Sequence, residues 1–119
     1  PYAPHNNIKN CVIYTGTHDN NTSKGWFEHE AKPGDIERLS KYVGHEITAE
    51  NVSRELIRLA MMSVADTAII PMQDILSLGE EARMNHPSTT EGNYQWRMLP
   101  EQMKAIGLLK ELTELYGRT

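Results

Sequence analysis

Two short apolar runs constrain this chain more than any other feature: Cys11-Val12-Ile13-Tyr14 and Ala68-Ile69-Ile70. In neither run do apolar and polar residues alternate, as they would in a strand with one wet face. β-Branched and aromatic residues in unbroken succession read as strands buried on both faces, and such strands belong to parallel sheets. The segment between the runs has helical periodicity, and strands joined through helices run parallel. The spacing therefore predicts an α/β fold.

The remaining elements follow from caps and breakers. Asp35 can cap a helix over "DIERLSKYVG", with Ile36, Leu39 and Val43 on one face and Gly44 as its stop. Thr48 is placed to cap a longer helix with a stripe of Val52, Leu56, Leu59 and Met62 or Val64. Pro71 is awkward inside a ladder, so the second strand ends there and "MQDIL" leaves the sheet. "SLGEEARMNHPSTTEGNYQWR" reads as a long polar loop with at most one helical turn near Glu80 to Met84. Pro100 suits the first residue of a final helix, about 100–117, whose apolar face is Met103, Ile106, Leu109, Leu112 and Tyr116. The Pro- and Asn-rich opening "PYAPHNNIKN" reads as loop.

Strand, loop, helices, strand, loop, helix makes two consecutive βα units. Two parallel strands do not make a stable sheet alone, so the chain reads as part of an α/β barrel or an open α/β sheet. In both, chemistry is built at the C-terminal ends of the strands. "GTHDN" occupies one such end, and "QDIL" with "EGNYQWR" follows the other.

Charge and composition narrow the classes. A net charge of −4, with no basic stripe, argues against a nucleic-acid partner. No run approaches a membrane span, and no basic-then-apolar leader is present. The single cysteine, Cys11, excludes an internal disulfide and fits a reducing compartment. The expectation is a soluble, cytoplasmic protein.

His18 and Asp19 are the foremost candidates, presented at a strand end among small polar residues. Side chains of neighbouring residues usually diverge there, so each can reach one substrate without bonding the other. His5, His29, His45 and His86 show no ligand spacing around the pair, which disfavours a metal-dependent hydrolase, and no metal or other cofactor is expected. A lone carboxylate does not cleave a glycosidic bond, which needs two. Asp74 lies just past the second strand, suited to capping a nearby helix or pairing Arg83. Trp26, Tyr94 and Trp96 fall in segments read as polar loops, where aromatic faces suit sugar rings. A carbohydrate-binding module without catalysis is the alternative at this point.

"YTGTHDNNTSKGW", then "PMQDILSLGEEARMN", then "TTEGNYQWR" together resemble the C-terminal end of the 4-alpha-glucanotransferases. These are the amylomaltases or disproportionating enzymes of glycoside hydrolase family 77. The resemblance runs from "PHNN" to "YGRT". It implies the last portion of a (β/α)8 TIM barrel: residues 1–119 as one C-terminal fragment, strand seven at about 11–17 and strand eight at about 67–72. It also implies transfer of α-1,4-glucan segments between maltooligosaccharides, with retention.

Carried over by residue, the resemblance makes Asp19 the third catalytic carboxylate, which stabilises the transition state without being nucleophile or acid/base. It makes His18 and Asn93 contacts to the glucan and makes Asp74 and Arg83 architectural, while Trp26 and Tyr94 stand as sugar-facing candidates on their aromatic character alone. The family usually carries Asp at position 21, where this chain has Asn21, and Trp at position 94, where it has Tyr94. The nucleophile and acid/base belong to earlier strands, so these 119 residues alone are expected to be inactive. Their unpaired edges are expected to drive dimerisation or domain swapping unless the rest of the barrel completes them.

Overall fold

In the computed structural model, which describes residues 4–118, strands β1 (Val12–Tyr14) and β2 (Thr67–Ile69) pair in parallel. Val12 lies opposite Thr67, Ile13 opposite Ala68 and Tyr14 opposite Ile69. Around them lie α1 (Ser23–His29), α2 (Pro33–Val43), α3 (Val52–Met62), α4 (Met72–Ile75) and α5 (Gly107–Leu115). Residues 1–3 of the opening loop and Thr119 lie outside the described residues. No helix among those described is long and apolar enough to cross a membrane.

Both strands are shorter than the expected 11–17 and 67–72 and are not buried on both faces. Ile13 and Ala68 turn towards the helices, whereas Val12, Tyr14 and Ile69 are more than half exposed. The helical layer lies on one side of the pair, and no described element covers the other.

The core forms where α3 and α5 meet the sheet. Ile57, Met61 and Leu112 are its buried centre, with Ala68, Ile70, Ile75, Leu109 and Tyr116 packed around them. The buried stripe of α3 is therefore rotated from the expected one. Ile57, Ala60 and Met61 join Val52 and Leu59 inside, while Met62 and Val64 are exposed. Helical periodicity marks where apolar residues cluster, but the elements packed against α3, namely α1, α4 and α5, decide which of them are covered. The helix also starts later than Thr48. Thr48 instead opens a turn in which Asn51 Oδ1 accepts from its backbone N–H at 2.8 Å.

Two further differences have local causes. Residues Pro100–Ile106 form 3-10 turns and only Gly107–Leu115 is α-helical. With three residues per turn, the first segment loses register with the apolar face, leaving Met103 and Ile106 about half exposed. The segment Ser23–His29, read as loop from its sequence, is α1, with the Thr22 hydroxyl accepting the Gly25 N–H at 3.0 Å. Helix α2 begins at Pro33, ahead of Asp35. Asp35 acts from the first turn, where its carboxylate accepts the Lys32 backbone N–H at 3.2 Å. Gly44, at φ 89°, ends the helix in the left-handed conformation that a side chain disfavours.

Candidate functional site

The C-terminal end of β1 runs directly into a tight turn at Thr17–Asn20. The Asn20 N–H donates to the Thr17 carbonyl at 3.1 Å, and Asn20 Oδ1 accepts from both the Thr17 N–H and hydroxyl at 2.9 Å. Asn side chains stabilise turns in this way because they bond nearby backbone. His18 and Asp19 occupy the two corners of the turn. Their side chains do not diverge as expected: His18 Nε2 lies 3.4 Å from Asp19 Oδ1, within ion-pair reach when the imidazole is protonated.

The loop after β2 meets this turn from the other side. Asn85 Nδ2 donates to Asp19 Oδ1 at 2.6 Å, and Arg83 Nη2 donates to the Asp19 carbonyl at 2.9 Å. Arg83 Nε in turn donates to the Asn85 carbonyl at 2.8 Å, so one guanidinium ties the two loops together. Asp19 is thereby held at its backbone and at one carboxylate oxygen while its side chain stays half exposed. Tyr94 stands over His18, with ring centroids 6.1 Å apart and the planes tilted by 35°. Tyr94 sits at φ 58°, a conformation uncommon for a residue with a Cβ.

Beside the turn opens a cleft of about 600 Å³, lined in part by Tyr14, His18, Asn20, Arg83 and Trp96. That size suits a small-molecule site. It lies at the C-terminal ends of the strands, where parallel α/β folds build their sites. A separate cleft at the amino end of β2, lined by Asp66, Leu109 and Arg118 among others, has no such group of site candidates.

The other expected residues are placed as follows. Asn93 uses its amide within its own loop, accepting from the His86 N–H at 2.9 Å and donating to the Thr89 hydroxyl at 3.0 Å. Trp26 is not in a loop: it lies on α1 and faces a different cleft, with Asp35, Arg38, Leu39 and Leu56. The correction follows from the Thr22 cap, which turns the polar-looking segment into helix. Asp74 is buried at 2% exposure and accepts from Thr15 and Ser23, while Arg83 pairs with Glu30 at 3.8 Å. Among the described residues, no three His, Cys, Asp or Glu side chains are grouped to hold a metal ion.

Sequence reading missed Asn85, which carries the shortest contact to Asp19 in the turn. It lies in the quoted "EEARMN" stretch, but no spacing rule links it to a residue so far back in the chain.

Comparison with known proteins gives a consistent result. A family model described as 4-alpha-glucanotransferase matches residues 1–103. The 4-alpha-glucanotransferase of Aquifex aeolicus is 45% identical over 98% of this chain, and that of Synechocystis is 47% identical over 99%. The chloroplastic/amyloplastic 4-alpha-glucanotransferase of Solanum tuberosum is 43% identical over 99%. This chain spans 24%, 24% and 21% of those three relatives. Among solved structures, amylomaltase from Streptococcus agalactiae in complex with acarbose superposes with a TM-score of 0.87 at 35% identity, over 96% of this chain and 23% of that one. A match over most of the chain, repeated in sequence and in structure, means that the chain belongs to the 4-alpha-glucanotransferase family, glycoside hydrolase family 77.

Proposed function

We propose that these residues are the last two βα units of a (β/α)8 barrel in a retaining 4-alpha-glucanotransferase. In this reading Asp19 contacts the hydroxyls of the sugar bearing the scissile bond. The observation that carries it is the half-exposed Asp19 carboxylate, held by Asn85 at one oxygen on the turn whose His18 and Asn20 line the cleft at the strand ends.

Asp19 is a single carboxylate, and retaining transfer needs a nucleophile and an acid/base about 5 Å apart across the bond. Its role is therefore binding that strengthens as the ring flattens towards the oxocarbenium-like transition state. A contact of that kind raises kcat, because it is made more strongly in the transition state than in the bound substrate. His18 adds a second donor or acceptor from the same turn. The aromatic faces of Tyr94 and Trp96 lie on the loop that follows β2 and provide sugar-facing surface, while the Asn93 amide, bonded to His86 and Thr89, holds that loop in shape. The substrate is an α-1,4-glucan or maltooligosaccharide, and the two catalytic carboxyl groups come from other strands of the barrel.

The same reading assigns an occupant to the bare side of the sheet. Val12, Tyr14 and Ile69 face inwards in a closed barrel, and the neighbouring strands cover the edges of the pair. Without those neighbours, the 119 residues associate through the exposed apolar face and have no transferase activity.

The test is Asp19→Asn in the full-length protein, followed by maltotriose disproportionation. Asn keeps the shape and loses the charge, so kcat should fall by orders of magnitude while the protein keeps its melting temperature. Unchanged kcat would remove Asp19 from the reaction.

A further inference from the structure

The loop that carries His18 and Asp19 leaves β1 at Thr15 and enters α1 at Ser23. Both of these residues bond to the same carboxylate. Asp74 Oδ2 accepts from the Thr15 hydroxyl at 2.5 Å and from the Ser23 hydroxyl at 2.7 Å, and Oδ1 accepts from the Ser23 backbone N–H at 2.8 Å. Asp74 is 2% exposed and Ser23 4%. The β2 ladder ends at Ile69, and Pro71 caps the short turn of α4, which fixes Asp74 beneath the loop, its N–H bonded to the Pro71 carbonyl at 3.0 Å. Hydrogen bonds to a charged acceptor are about twice as strong as neutral ones, and the two from Ser23 are buried while that from Thr15 is partly so.

We propose that Asp74 is a positioning residue for the glucan-transfer reaction: by pinning both ends of the Gly16–Thr22 loop, it sets where the Asp19 carboxylate stands. This rests on the assignment of Asp19 above. Asp74 does not touch the sugar. Its effect passes through the loop, so it acts on kcat and leaves KM nearly unchanged. The Thr15 hydroxyl and the Ser23 side chain are the other half of the clamp.

The experiment uses the full-length enzyme with maltotriose, with kcat expressed per folded enzyme. Asp74→Asn and the double variant Thr15→Val, Ser23→Ala should each lower kcat roughly 10- to 100-fold with KM changed less than about threefold, the usual cost of misplacing a reacting contact by an ångström. Thr15→Ser, which keeps the hydroxyl, should restore kcat where Thr15→Val lowers it. Amide hydrogen exchange should quicken at residues 16–22 in the impaired variants. A lower melting temperature with wild-type kcat in all of them overturns the proposal, since that is what a purely architectural carboxylate would give.

Asp19→Asn runs in parallel. If it alone keeps full kcat, the assignment of Asp19 has failed. The clamp is then judged by exchange at residues 16–22: quickened exchange sustains it and unchanged exchange overturns it.

Discussion

The amide of Asn85 lies 2.6 Å from Oδ1 of Asp19, a contact across 66 positions of chain. It joins the loop after β2 to the turn after β1 and, with the neighbouring His18, orients a half-exposed carboxylate. Asn85→Ala should leave Asp19 charged but unoriented. In the full-length enzyme we expect kcat to drop about tenfold, with the melting temperature nearly unchanged, since deleting one exposed hydrogen bond costs only about 1 kcal/mol. Asn85→Asp should be worse, because a second carboxylate at the same distance offers no amide donor and repels the first. Equal kcat in Asn85→Asp and Asn85→Ala would contradict this.

Arg83 bridges the Asp19 and Asn85 carbonyls with separate guanidinium nitrogens and has only 14% of its side chain exposed. Lysine has one ammonium and no planar fork, so it cannot reproduce both bonds. Arg83→Lys and Arg83→Ala are therefore expected to cost about 2–3 kcal/mol each, the upper range for hydrogen bonds to a charged group. Chemical denaturation read by circular dichroism would show it. Full stability in Arg83→Lys would mean that charge alone holds the loops.

Gly25 makes room for a neighbour. A Cβ there would stand 2.2 Å from Asn21 Oδ1. The Asn21 amide is not free to swing away: it donates to Glu30 at 2.8 Å and Glu80 at 3.2 Å, and its oxygen accepts the Thr22 N–H at 2.9 Å. Gly25→Ala should therefore destabilise by about 1–3 kcal/mol despite the better helix propensity of alanine. Combining it with Asn21→Ala should recover much of the loss, and thermal melts of the two variants would test that coupling.

Expressed alone, residues 1–119 should form dimers or larger assemblies, because Val12, Tyr14 and Ile69 present an uncovered apolar strand face. Sedimentation at several concentrations should show association that weakens when Tyr14 and Ile69 are changed to serine and threonine. The same sample should not disproportionate maltotriose. Robust formation of glucose and longer oligomers would show that these residues carry a complete site.

The sequence alone determined the kind of fold, two parallel strands joined through helices, although each strand ends earlier than expected. Unbroken β-branched runs separated by helical periodicity leave parallel βα units as the economical solution. A polar turn directly after such a run places His18 and Asp19 where α/β proteins do chemistry. Both statements depend on near neighbours, whose covalent spacing fixes how far side chains can part. What only the tertiary structure decided involves residues far apart in the chain. Arg83 and Asn85 reach Asp19, Asp74 closes the loop from Thr15 to Ser23, and α3 buries Ile57 and Met61 instead of Met62 and Val64. Trp26 left the loop for a helix through a single hydroxyl cap. Periodicity records which residues are apolar, and motif order records which polar ones are near a strand end. Which of them meet is set by how packed elements bring distant backbone to within about 3 Å, the reach of a hydrogen bond.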